Sequence, residues 1–191
     1  MSVYCTNIIQ VIGAKELISQ MFELVKSDAR DLDKIPDSTM SKGEVEKFLA
    51  LEFDFNKVVP YPEEFAKMDK EHEEKYGFPN IDLLNNRYAR EADNWRVKFW
   101  GTDFNATSAS TQFIDSKEIV EVENFKLSDY QNPSCAEIYY TTSNPAFPVT
   151  EALSKQFPDL LFKHFYKSDE FPEVGYQVRK AGNLLSEWID Y

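Results

Sequence analysis

The sequence predicts an α+β fold, and three observations predict it. Short segments alternate β-branched and aromatic residues at period 2, amphipathic helical runs lie between some of them, and the two kinds of segment follow one another in a recognisable order. From Val3 to Ile12, Val3, Cys5, Ile9 and Val11 alternate with Tyr4, Thr6, Ile8, Gln10 and Ile12, which reads as a first strand ended by Gly13. Leu17, Ile18, Met21, Phe22 and Val25 recur at three- and four-residue spacing, so they share one stripe of a helix running to about Ser27. The polar stretch from Asp28 to Gly43, which contains Pro36, Asp37 and Ser38, reads as a loop. Phe48, Leu49, Leu51, Phe53 and Phe55 form a second alternating segment. Proline donates no ladder hydrogen bond, so this strand ends by Val59, before Pro60 and Pro62, or lies at an edge there.

Pro62 stands at the start of a predicted helix, PEEFAKMDKEHEEKYG, whose opening acids suit the positive end of a helix dipole. Ile81, Leu84, Tyr88 and Trp95 give IDLLNNRYAREADNW a rough helical spacing. Beyond this block, Ser110 to Phe113, Ile119 to Phe125 and Glu137 to Thr142 look like strands. Val149, Leu153 and Phe157 mark a short helix that stops at Pro158, and Leu160 to Lys167 alternates again. Gly175 to Lys180 predicts an edge strand, and Leu184, Leu185 and Trp188 a terminal turn of helix. One domain results: a βαβ portion over 1–60, a helical insertion over 61–95 and a β-rich portion with one short helix over 96–191. The order predicts a ferredoxin-like split βαβ, an antiparallel or mixed sheet with helices packed mainly on one face.

Composition bounds the function. The 191 residues include 15 Phe, 10 Tyr and 3 Trp, enough apolar surface to offset chain entropy. With 33 Asp+Glu against 21 Lys+Arg the formal charge is −12, spread along the chain rather than blocked. Phosphate backbones and anionic lipid repel such a polyanion, so nucleic acid and membrane surfaces are disfavoured and a basic or neutral partner is expected. The spread acids are either solubilising surface or, once folded, a stripe imitating a phosphate backbone. Cys5 and Cys135 stand alone, and no basic n-region or long apolar run is present, so free thiols and a cytoplasmic setting are expected.

The chemistry-bearing residues are few. His72 lies in KEHEEK without an HExxH, and His164 lies mid-strand among aromatics with no motif around it. Adjacent acids such as Glu63–Glu64, Glu73–Glu74 and Asp169–Glu170 point apart on regular structure and do not converge on one atom. No DxDxDG loop appears, and the six glycines are too dispersed for a GxGxxG or GxxxxGK[ST] phosphate cradle. No metal, no cofactor and no catalytic residue is therefore expected. Phe53, Phe55, Phe162 and Tyr166 have the composition of a base-stacking platform, but the acidic neighbours Glu52 and Asp54 point to core packing instead.

Four stretches, VYCTNIIQVIGAKELI, FDFNKVVPYPEEF, the Trp100-Gly101-Thr102 triplet and EIYYTTSNPAFPVTEALSKQFPDLLFKHFY, carry a resemblance across nearly the whole chain. In that order they resemble a family of phage and plasmid accessory proteins with a YubB-type ferredoxin-like domain, mostly of unknown function. The resemblance implies an α+β fold and a mobile-element origin, and brings no catalytic residues with it. The non-periodic segments predict a candidate binding surface of Asn56, Lys57, Trp100, Thr102 and Asn144, flanked by Pro60, Pro62 and Pro145; alternatively these segments only hold strand ends in place. The function expected is a non-enzymatic acidic protein that binds a host protein with a basic surface in the host cytoplasm. It would act as an antagonist of host defence or a mimic of nucleic-acid charge. The alternative is a small-ligand binder or an enzyme of unknown reaction.

Overall fold

The computed structural model describes residues 4–27, 53–76, 87–120, 133–169 and 173–190. Strand β1 (Cys5–Gly13) runs through the middle of the sheet. It pairs antiparallel with β3 (Ser134–Thr142) on one side and β4 (Leu161–Ser168) on the other, which sets Ile9 opposite both Ile138 and His164. Strand β2 (Thr107–Ile114) adds beyond β3, while β5 (Val174–Lys180) and β6 (Asn183–Asp190) extend the sheet beyond β4. The order is β2-β3-β1-β4-β5-β6, and each neighbouring pair is antiparallel, so the mixed-sheet alternative is not realised. Its first four strands, β2-β3-β1-β4, have the arrangement of a split βαβ, with β5 and β6 as a hairpin added to the rim.

Helices cover one face. Helix α1 (Lys15–Val25) buries Ile18, Met21, Phe22 and Val25, the stripe its spacing predicts. The short α2 (Phe55–Val58) follows an N-cap at Asp54, whose side chain accepts the Asn56 N–H at 2.9 Å. Helix α3 (Glu63–Tyr76) falls within residues 61–95, α4 (Arg87–Trp100) runs past them to Trp100, and α5 (Phe147–Gln156) packs Val149 and Leu153 against the sheet. The main core joins α1, α2, α4 and α5 to Ile9, Val11, Ile138, Tyr140 and Phe162. Each fully buried large side chain of this kind contributes about 1.5–3 kcal/mol. The opposite face carries a smaller cluster of Ile12, Ile119, Cys135, Leu161 and Val178, covered where the turn Ser116–Glu118 crosses β1. There the Gln10 amide donates to the Glu118 carbonyl and accepts the Val120 N–H, both at 3.0 Å. No described helix is long and apolar enough to cross a membrane.

Three expectations need correction. The strand read across residues 48–59 does not form where it is described: Phe53 and Asp54 are irregular and Phe55–Val58 is helical. The Asp54 cap and the Asp54 N–H bond to the Val25 carbonyl turn the chain there. Phe53 and Phe55 thus meet edge-to-face at 5.3 Å on one side, instead of lying along a pleat. Residues 183–190 form β6 and not a turn of helix, so β5 is internal rather than an edge. Ala181 and Gly182 have φ values of 50° and 81°, the pair of positive values that a type I′ hairpin turn requires. Ile119 and Val120 are not strand, and residues 121–125 of that segment lie outside the described residues, as do 28–43, 48–52 and 81–86.

Candidate functional site

The segments named from the sequence do meet. The Trp100 indole N–H donates to the Val59 carbonyl at 2.9 Å, and its ring lies 5.9 Å from Phe55 and 5.5 Å from Tyr61, so Trp100 is buried at the junction of α2, the proline segment and α4. The Asn56 side-chain oxygen accepts the Tyr61 N–H at 2.6 Å and closes the turn that carries Pro60. Gly101 sits at φ 83°, where an added Cβ would come within 2.9 Å of both the Pro145 carbonyl oxygen and Pro148 Cδ; a side chain has no room there. Thr102, also buried, shares a hydrogen bond of 2.8 Å with the Ser143 hydroxyl, which also donates to the Asp103 carboxylate and accepts from the Asn144 amide at 3.3 Å. Asn56, Lys57 and Asn144 are the exposed members of the set, while Trp100 and Thr102 hold the backbone segments together.

The insertion is fixed to this junction by a polar clamp. Helix α3 buries none of its residues, yet Asp69 accepts hydrogen bonds from the Tyr61 and Tyr88 hydroxyls at 2.9 and 2.8 Å. Arg96 donates to the Tyr61 oxygen at 2.9 Å. Burial, with the Asp69 carboxylate adding to it, pushes both phenols above the ordinary tyrosine range.

His164 is wholly buried under α5. Its Nε2 lies 2.9 Å from Asn7 Oδ1 and its Nδ1 2.7 Å from the Thr150 hydroxyl, and the Tyr140 hydroxyl lies 3.2 Å from Nε2. The Asn7 amide nitrogen is committed to the Cys5 carbonyl and to Thr142 at 2.9 and 2.8 Å. Oxygen therefore faces the ring, so Nε2 carries the proton and Nδ1 accepts from Thr150. Burial first, and then Arg179, lowers the pKa of this histidine to about 3, which keeps it neutral in a satisfied polar network. His72 lies against Tyr76 on α3, with ring centroids 4.6 Å apart and the planes tilted by 40°. The thiols of Cys5 and Cys135 are free and buried, and burial pushes Cys5 up to about 12. Among the described residues no group of His, Cys, Asp and Glu is placed to hold a metal ion.

Phe53, Phe55 and Phe162 belong to the main core, and Tyr166 is buried with its hydroxyl donating to Glu173. Other aromatics occupy the opposite face. The register aligns Tyr139, Ile8, Phe165, Tyr176 and Trp188 in one row across β3, β1, β4, β5 and β6. At the rim, Phe165 and Tyr176 lie 5.8 Å apart, and Tyr176 stacks on Trp188 at 6.1 Å. These rings, with Val120, Val174, Gly175 and Tyr166, line a concavity of roughly 380 Å³. Gly175 is required where it stands, because a Cβ there would meet the Tyr166 ring at 2.7 Å and the Trp188 carbonyl oxygen at 2.6 Å. Beside the concavity, β6 exposes Leu184, Leu185 and Trp188 at 46%, 54% and 48%; Trp188, opposite Tyr176, stands on the open face, whereas Leu184, opposite Arg179, stands on the helix face. Sequence reasoning missed this rim because Leu184, Leu185 and Trp188 fit a helical spacing. The signal that would have found it is the Ala181-Gly182-Asn183 turn following a strand.

No family model matches the sequence, and no curated protein matches it. The crystal structure of a protein api92 from Yersinia pseudotuberculosis, of the DUF1281 family model, is similar with a TM-score of 0.51 and 9% identity. The match covers 98% of this chain and 98% of that one. At that identity the likeness is one of fold.

Proposed function

We propose that this chain is a non-enzymatic binding protein of a phage or plasmid that engages a basic host protein in the host cytoplasm, as an antagonist of a defence component. The observation that carries the reading is the rim strand β6, whose exposed Leu184, Leu185 and Trp188 stand beside Glu187 and Asp190 with no Lys or Arg in the strand. Exposed apolar residues in a strand whose own charges are acidic suit a basic protein partner, and the net charge of −12 steers such a partner in. The resemblance of the four sequence stretches to mobile-element accessory proteins supports the origin. A second reading, small-ligand binding, is favoured by the concavity of roughly 380 Å³, which is large enough for a small organic molecule.

Affinity capture from host lysate, with the retained proteins identified by mass spectrometry, tests the first reading. A basic host protein should be retained at low salt and released near 1 M salt, where the screening length falls to about 3 Å. Capture of no protein at any ionic strength contradicts the proposal, and retention of a small molecule through native purification favours the second reading.

A further inference from the structure

The outer side of β6 is paired to no strand among the described residues, and β6 is eight residues long. A strand at the end of a sheet presents unpaired N–H and C=O groups along its outer side, and most proteins protect such an edge with lysine, proline or a bulge. β6 contains neither lysine nor proline, and its register irregularity lies near the hairpin turn, at Val178/Arg179, leaving the outer half regular. We infer that β6 is a docking edge that takes an extended segment of a basic partner as a seventh strand, with an apolar side chain beside Trp188 and a Lys or Arg beside Glu187.

The two faces of β6 specify that pattern. Trp188 lies opposite Tyr176 on the open face, so a residue added beside it continues the aromatic row and closes over the concavity. Glu187 lies opposite Gln177 on the helix face and accepts that side chain's amide, which uses one of a carboxylate's roughly four acceptor positions. Neighbouring residues of an added strand alternate between these faces, so an apolar residue next to a basic one satisfies both. Asp190 at the end of β6 adds a second acid. The net charge of −12 on each molecule opposes pairing of β6 with a second copy of the chain. Main-chain hydrogen bonds supply affinity in this mode of recognition, and alternate side chains supply selectivity.

This inference rests on the reading of a basic partner and narrows it to one edge and one binding mode. The probe is a fluorescein-labelled octapeptide, RVFKVTVT, followed by anisotropy on the full chain. Saturable binding is expected, weakened at least tenfold by Trp188→Ala, by Glu187→Lys and by N-methylation of alternate peptide amides, with no binding of the counterpart EVFEVTVT. Both substituted side chains lie on the rim strand, and an unchanged thermal melt of each variant confirms that it is folded. Absence of binding, equal binding of the N-methylated peptide, or indifference to Glu187→Lys overturns the inference. So does a dimer in sedimentation that Trp188→Ala dissolves, or competition by a thymidine oligonucleotide. If Trp188→Ala still captures a basic host protein, the edge mode fails while the proposed function stands; if the native chain captures none, the proposed function fails.

Discussion

Replacing Phe55 by alanine is expected to lower the free energy of unfolding by about 3–5 kcal/mol. Phe55 has no exposed surface, and its ring meets Phe53, Tyr140 and Trp100 at centroid distances of 5.3, 5.5 and 5.9 Å. These neighbours are held by other bonds: Trp100 by the Val59 carbonyl, and the local backbone by Asn105, whose side-chain oxygen accepts the Phe55 N–H at 2.9 Å. The site therefore collapses little when the ring is removed, and the cavity penalty adds to the lost transfer energy. For a chain of this size the melting temperature should fall by about 6–20 °C. Phe55→Leu, which keeps most of the apolar volume, should lose clearly less. Chemical denaturation of the three proteins measures this, and a loss under about 1 kcal/mol for alanine would place the ring outside the core.

Acid should remove a specific part of the stability through His164. In the unfolded chain its imidazole titrates at the ordinary value of 6.5, whereas burial holds the folded pKa at about 3. Above 6.5 neither state is protonated and the contribution is complete. Below 6.5 the unfolded chain takes up a proton that the folded one refuses, so stability falls as pH drops, by at most about 1.4 kcal/mol per unit, until about pH 3. The sign is that of a depressed base: lost on acidification, restored on return to neutral pH. Denaturation midpoints across this window, compared with His164→Gln, isolate the slope from that of the carboxylates. Nuclear magnetic resonance of the ring should show one neutral tautomer, protonated at Nε2, from neutral pH down to about pH 4. Titration of the folded ring near its ordinary value would contradict the buried network of Asn7, Thr150 and Tyr140.

Local patterning made the sheet legible where it agreed with tertiary packing. The alternation in Val3–Ile12, Glu137–Thr142 and Leu160–Lys167 marks the three central strands. Their inward faces are buried by helices, while Ile12, Cys135 and Leu161 are buried on the opposite face, so the alternation is clear except at Val11–Ile12 and Leu161–Phe162. Residues 53–58 misled because a capped turn of helix also brings Phe53, Phe55 and Val58 to one side, and only the Asp54 cap distinguishes it from a strand. Residues 183–190 misled for a different reason. Leu184, Leu185 and Trp188 are exposed, so their spacing reports no buried face, and pairing with β5 decides their conformation. The meeting of Asn56, Trp100 and Asn144 segments was legible from prolines and glycine, which mark where the backbone turns tightly. The polar surroundings of His164 were not, because Asn7, Tyr140 and Thr150 reach it from sequence positions that no local pattern connects.

The rim strand is the centre of this account, and hydrogen–deuterium exchange on the complex with the captured host protein tests it most directly. Amides of residues 183–190 should slow on complex formation more than those of any other segment, because they would be covered by partner backbone. Protection confined to the Asn56, Lys57 and Asn144 junction or to helix α3, with β6 exchanging as in the free chain, would contradict it.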